Sequence, residues 1–389
     1  MRGVKRFSDK VVRKNKELEC VIPAIRWKTG FEIELLAPRG KSRRDLAEAI
    51  AVRPGCRVAP CFHPQAELAA VPGAPIFENL TLGYEALAPD GSLMARCVDD
   101  LTLQADLARK APPKPGWYRI ASDDARLLRL IMRHCDPAQA PAKVLLPVAR
   151  LFGTEPTISA EGMVRLADAL DAPIAIAAPL PGERERPCEL ITPPISHDHA
   201  ARLEALLAPA RALGFTVPVE GALHIHYDAT DLCTTPVLVN LVKVLERHGD
   251  ALKQLLDTNR RCIRLGGWPQ ALLDLVADPQ FALLAWEDAK ARLVDIGLTK
   301  YCDFNLLNLV RPPPGKHTFE VRILPVSLDA APILQAAGLF EAILRWAGDD
   351  SRGVRDVPAD IVTLFSALPL AEDQRQEWIG KCGKMGLSR

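Results

Sequence analysis

Trp27-Lys-Thr-Gly-Phe-Glu-Ile-Glu-Leu-Leu36 is the stretch from which the rest of the chain is read. Phe31, Ile33 and Leu35 alternate with Glu32 and Glu34, so a strand here has one apolar face and one face bearing two carboxylates. Arg39 and Gly40 turn the strand, and Ser42 is placed to cap a helix across Asp45 to Val52, with acidic Asp45 in its first turn. Along one strand face the two glutamates stand about 7 Å apart and offer hard oxygen ligands suited to two divalent ions. Glu-x-Glu alone is a weak signal: Glu183 and Glu185 repeat it in a Pro-Gly-Glu-Arg-Glu-Arg-Pro loop that has no apolar partner face. The bland reading of Glu32 and Glu34 is a solvated edge strand.

Two further stretches share this period of two. Gly221-Ala-Leu-His-Ile-His-Tyr227 puts His224 and His226 on one face, and Leu223, Ile225 and Tyr227 on the other. Neutral imidazole ligates catalytic divalent metals, although a buried histidine can equally be a satisfied core residue. His317-Thr-Phe-Glu-Val-Arg-Ile323 sets Glu320 beside Arg322, with Phe319, Val321 and Ile323 facing the core. A surface salt bridge would explain that pair, but arginine also fits phosphate oxygens with a fixed fork of donors. A sheet face collecting Glu, Glu, His, His, Glu and Arg is costly unless metal and phosphate offset its charges. His197 and His199 repeat the histidine spacing at a helix start after Pro193-Pro194, where the side chains diverge; they read as surface residues.

With 389 residues, 48% hydrophobic and 25% charged, the chain is long enough to bury one large core or two ordinary ones, and disordered and fibrous classes drop out. A net charge of +1 supplies no global field for a polyanion, so a nucleic-acid partner is not expected. The basic cluster from Arg2 to Lys16 reads as a solvated leader without a secretory pattern. No stretch approaches the roughly 18 apolar residues that cross a bilayer, so no membrane partner is expected. Ten scattered cysteines without a Cys-x-x-Cys pair fit free thiols in a reducing cytoplasm.

Strands and helices alternate too irregularly for a doubly wound sheet, which favours an α+β fold with a mainly antiparallel sheet. The organisation expected is a basic leader over 1–26, the first part of a catalytic core over 27–97, an inserted helical subdomain over 98–181, the rest of the core over 182–350 and a helical tail over 351–389. Within the insertion, helices are read at Asp123 to His134 and Ala160 to Leu170. Further on, helices are read from about Asp198 to Leu213, Thr235 to Asp257, Trp268 to Leu275 and Phe281 to Val294.

Gly30-Phe-Glu-Ile-Glu34, Gly221-Ala-Leu-His-Ile-His226 and Phe319-Glu-Val-Arg322 resemble, in that order, three metal- and phosphate-binding strands of glutamine synthetases. Closer still is the amidoligase family of carboxylate–amine ligases. It adds a Glu-then-Ser/Thr-Pro-Pro strand, here Cys188-Glu-Leu-Ile-Thr-Pro-Pro194, and a Tyr-then-Asn-Leu segment, here Lys300-Tyr-Cys-Asp-Phe-Asn-Leu-Leu-Asn308. The matches span roughly residues 27 to 325. The resemblance implies a half-barrel of glutamine synthetase type flanked by helices, with Glu32, Glu34, Glu189, His224 and Glu320 as ligands of Mg²⁺ or Mn²⁺. It further implies that Glu320 and Arg322 are catalytic and that Arg322, His226 and Lys300 contact ATP. The family's Asp-Gly-Ser motif is matched either by Asp90-Gly-Ser92 or by Asp123 or Asp124 in its place. The activity implied is ATP-dependent joining of a small-molecule or peptide carboxylate to an amine through an acyl phosphate. A metal-dependent hydrolase using the His-x-His and carboxylate cluster, or a non-catalytic nucleotide- and metal-binding module, would use the same residues. No Walker-type phosphate loop occurs, and Leu265-Gly-Gly267 is too short to form one.

Overall fold

The computed structural model describes residues 23–67, 77–122, 124–313, 315–349 and 353–387. The basic leader, apart from its last residues, and Asp123 lie outside the described residues. The fold is α+β, with a twelve-stranded sheet whose recorded pairings are all antiparallel. Its strands are β1 (Thr29–Leu36), β2 (Arg57–Glu67), β3 (Phe77–Leu87), β4 (Leu93–Asp99), β5 (Pro113–Ala121), β6 (Thr157–Ile158), β7 (Val164–Ala167), β8 (Pro173–Pro181), β9 (Pro187–Ile191), β10 (Leu223–Asp228), β11 (Phe304–Asn305) and β12 (Thr318–Leu324). They run in the order β11-β12-β10-β1-β9-β4-β3-β5-β8-β7-β6, with β2 on the other edge of β3.

The apolar halves of the alternating strands build the core. Phe31, Ile33, Leu35, Ile225, Tyr227, Phe319, Val321 and Ile323 are all fully buried. They pack in one cluster with apolar residues of α1 (Arg43–Ile50), α5 (His199–Ala212), α6 (Thr235–Leu255) and α10 (Ala330–Ala347). Tyr227 fixes β10 to α10 by donating its hydroxyl to the Ala337 carbonyl at 2.9 Å. Ser42 caps α1 with the side chain of Asp45 completing a capping box, as its position in the sequence suggested. Thus the helices seal one sheet face and leave the charged residues on the other.

The stretch expected to be helical between 98 and 181 is mixed. It contains α2 (Ala125–His134), α3 (Pro141–Val144) and α4 (Leu146–Leu151), but also β5 to β8, which extend the main sheet. A second apolar cluster, including Trp117, Ile120, Leu128, Ile131, Val148 and Ala177, lies under these elements. The helix read at Ala160 to Leu170 is instead the β6–β7 hairpin and the turn into β8: Gly162 (φ 78°) and Asp171 (φ 65°) take left-handed conformations that stop helix propagation. Similarly, Phe281 to Val294 is a short 3₁₀ turn followed by α8 (Trp286–Val294). The remaining helices are α7 (Gln270–Ala277), α9 (Leu307–Val310), α11 (Ile361–Ala367) and α12 (Glu372–Met385).

Candidate metal and phosphate site

Strand register brings distant residues into contact. Glu32 lies opposite His224 across β1 and β10, Glu34 opposite Glu189 across β1 and β9, and His226 opposite Glu320 across β10 and β12. The β10–β12 register slips between Leu223 and Ile225, so that two residues, Arg322 and Ile323, oppose His224. Such a bulge re-aims a side chain. Here Arg322 donates from Nη1 to Glu320 Oε1 at 2.6 Å, while its backbone N–H bonds the Asp303 carbonyl on the other side. Strand β9 stops at Thr192-Pro-Pro, and the Thr192 hydroxyl accepts the Phe31 N–H at 2.9 Å.

These strands floor a cavity of about 280 Å³. Glu32, Glu34, Glu189, His224, Lys300, Glu320 and Arg322 line it, so seven of the eight residues singled out in the sequence converge there. The eighth, His226, joins from behind Glu32: its Nε2 lies 3.1 Å from Glu32 Oε1 and 3.7 Å from Glu320 Oε1. Among the described residues two triads can each present ligand atoms within 4.8 Å of one another: Glu32, His226 and Glu320, and Glu32, Glu189 and His224. Glu32 belongs to both. His226 therefore sits with the carboxylates of Glu32 and Glu320. Glu34 lies outside both triads. Its Oε2 accepts from Arg264 Nη2 at 2.7 Å and from the Ala222 N–H at 2.8 Å, leaving Oε1 toward His224 Nε2 at 3.8 Å.

The electrostatics suit a cation. Burial works to raise the Glu32 carboxyl, but Lys316 and the two histidines outweigh it and hold it well below the usual carboxylate range. Burial likewise opposes ionisation of Glu320, yet Arg322 beside it brings its pKa down to about 2. Glu189 is pushed the other way, well above the ordinary value, by burial and by Glu32, Asp100 and Glu34. Glu34 rises to about 7 through burial and Asp100, against the pull of Arg264. Burial and Arg322 lower His224 to about 4, so its imidazole is neutral at pH 7 and available as a ligand. The Nε2 atom of His224 is buried without a hydrogen-bond partner, and that of His226 has only the Glu32 carboxylate at 3.1 Å. A buried imidazole nitrogen facing carboxylates is what a divalent ion would satisfy, and the oxygen and imidazole donors match Mg²⁺ or Mn²⁺.

Several cavity residues carried no sequence signal of their own. His63 and Gln65 come from β2, which carries Pro60 and Pro64. Among the described residues that strand pairs with β3 alone, and the two prolines share one parity, so their missing donors point to the same side of the strand. Asp100, Thr102 and Arg264 arrive on loops. Lys316 donates to Glu32 Oε1 at 2.8 Å, and Asn305 donates to Glu320 Oε2 at 2.6 Å. Asp90 instead closes an exposed turn onto Ser92, and Asp124 caps α2 and pairs with Arg126. Neither belongs to a triad. His197 is exposed as expected, whereas His199 is 96% buried at the start of α5.

The fold and cavity define an α+β protein with a buried carboxylate and imidazole centre flanked by arginine and lysine. The chain belongs to the amidoligase family: the family model described as "putative amidoligase enzyme" matches residues 25–344. Comparisons with curated proteins and with solved structures gave no match. No helix among the described residues is long and apolar enough to cross a membrane.

Proposed function

We propose that this amidoligase is an ATP-dependent carboxylate–amine ligase. The observation carrying this reading is the convergence of Glu32, Glu189, His224, Glu320 and Arg322 on one cavity, with His226 behind Glu32, in a chain of this family. A carboxylate oxygen attacks the γ-phosphorus of ATP, the bond from that phosphorus to the bridging oxygen breaks, and ADP leaves with the electron pair. The amine nitrogen then attacks the acyl carbon of the acyl phosphate, loses a proton and expels inorganic phosphate. Divalent ions held by the two triads would supply neutralising charge for the phosphates.

The chain's own part is positioning and electrostatic stabilisation. Arg322 is locked by Glu320 and aimed into the cavity by the bulge, so its remaining donors meet phosphoryl oxygens without reorganisation. Burial and Arg322 lower the Lys300 pKa, a sign that this ammonium lacks a full counter-charge and gains from an anionic ligand. The order of the strand motifs supports a catalytic core of glutamine synthetase type, and an ATP-consuming role fits the cytoplasm.

The test is ADP release with Mg²⁺ against pooled carboxylates and amines: release is expected to need both. Metal-dependent hydrolysis of an ester or amide without nucleotide would replace the ligase with a hydrolase. Arg322→Lys keeps the charge but loses the planar fork, so ADP release is expected to slow about 100-fold while Mn²⁺ affinity stays within a few-fold. Unchanged turnover would remove Arg322 from the phosphoryl-transfer machinery.

A further inference from the structure

Lys316 was not singled out by any motif, yet it contacts the residue on which both triads depend. Its Nζ donates to Glu32 Oε1 at 2.8 Å, the same oxygen that lies 3.1 Å from His226 Nε2. An ion held by Glu32, His226 and Glu320 would draw on that region of charge, so the ammonium and the ion compete for one carboxylate. The two cations also repel each other across the few ångströms that separate them.

Two of the cavity's cations, Arg322 and Lys316, differ in how freely they can yield. The Arg322 side chain is 8% exposed and bonded to Glu320, whereas 42% of the Lys316 side chain is exposed. Lysine carries its charge on a flexible four-carbon stem with rotatable donors. Its backbone position is set by the adjoining β12, which begins at Thr318, and it lines the same cavity as Lys300 and Arg322. Displaced from Glu32, the ammonium therefore stays within reach of the space where the phosphates would lie.

We propose that Lys316 is a metal-displaced positioning residue: its ammonium neutralises Glu32 while the ion site is empty and swings to the phosphoryl oxygens of the nucleotide once a divalent ion takes Glu32. The proposal rests on the reading of this cavity as a cation and phosphate site and deepens it by setting an order, metal first and then a fully bound nucleotide. It makes an uncommon demand. Deleting a charged residue beside a metal site must tighten the metal.

The experiment is calorimetric titration of the full chain with Mn²⁺ alone, and then with ADP at saturating Mn²⁺, for the wild type, Lys316→Met and Lys316→Arg. Lys316→Met is expected to bind Mn²⁺ about tenfold more tightly, because a competing charge is gone, and to bind ADP about tenfold more weakly. Lys316→Arg keeps the competing charge and is expected to bind Mn²⁺ as the wild type does. Mn²⁺ affinity that is equal or weaker in Lys316→Met would overturn the proposal and make Lys316 a structural prop for Glu32. Equal tightening in Lys316→Arg would also overturn it, since charge would not be the cause. Failure of all three proteins to bind Mn²⁺ would overturn the cation-site reading itself, and this proposal with it.

Discussion

Glu32→Gln is expected to disable both triads in one substitution, because Glu32 is the carboxylate they share. Glutamine keeps the shape and one acceptor oxygen but removes the negative charge that offsets a divalent ion. The fold should survive: Phe31 and Ile33 still fill the core on the opposite face, and the strand pairings of β1 to β9 and β10 use backbone groups. Lys316 can still donate to the amide oxygen. Mn²⁺ binding is expected to weaken by about 100-fold or more and ADP release to fall by about 10³-fold, with the melting temperature nearly unchanged. Calorimetry, an ADP assay and a melting curve check the three parts separately. Mn²⁺ affinity within threefold of the wild type would show that Glu32 is not a ligand.

What the sequence disclosed follows from what periodicity can encode. A period of two shows which face a side chain takes, so Glu32 with Glu34, His224 with His226, and Glu320 with Arg322 were legible as three charged faces. Periodicity does not encode register. That Glu32 meets His224 while Glu34 meets Glu189 depends on pairings between strands far apart in sequence, and with that register Glu34 falls to Arg264 rather than to a triad. The bulge that redirects Arg322 has no local signature in His317 to Ile323 either, since it arises from how β12 meets β10. Loop residues such as Asp100 and Arg264 carry no period at all. The helix read at Ala160 to Leu170 misled for a different reason: its apolar residues are spaced ambiguously, and the two left-handed turns at Gly162 and Asp171 decide for strands. His199 was placed on the surface from its neighbours, but the chain buries its imidazole beside the Ile195 and Trp27 backbone, where burial lowers its pKa.

Arg264 and Glu34 form the other pairing with a large expected effect, this time on stability. Arg264 is 6% exposed and Glu34 1%, and the guanidinium reaches the carboxylate at 2.7 Å while also donating to Thr102. Removing one partner of a buried pair strands the other charge, which typically costs 3–5 kcal/mol, whereas replacing both by neutral groups of similar shape costs far less. Arg264→Met keeps the stem's volume and leaves Glu34 with the Ala222 N–H. Glu34 already titrates near 7, so part of the cost is relieved by proton uptake, and a loss of about 3 kcal/mol at pH 8 is expected. The sign of its pH dependence follows. Without Arg264 the folded-state pKa of Glu34 lies higher still above its unfolded value, so the folded chain holds the extra proton, and stability falls as pH rises from the unfolded value through the folded one. The variant's deficit should therefore shrink on acidification from pH 8 toward pH 7 and level off below it, where both folded chains already hold the proton. Glu34→Gln in the Arg264→Met background should recover most of the deficit, giving a coupling energy of about 2 kcal/mol or more by urea unfolding of the four proteins. Additive losses would show that the pair, despite its geometry, does not hold β1 to the loop that closes the cavity wall.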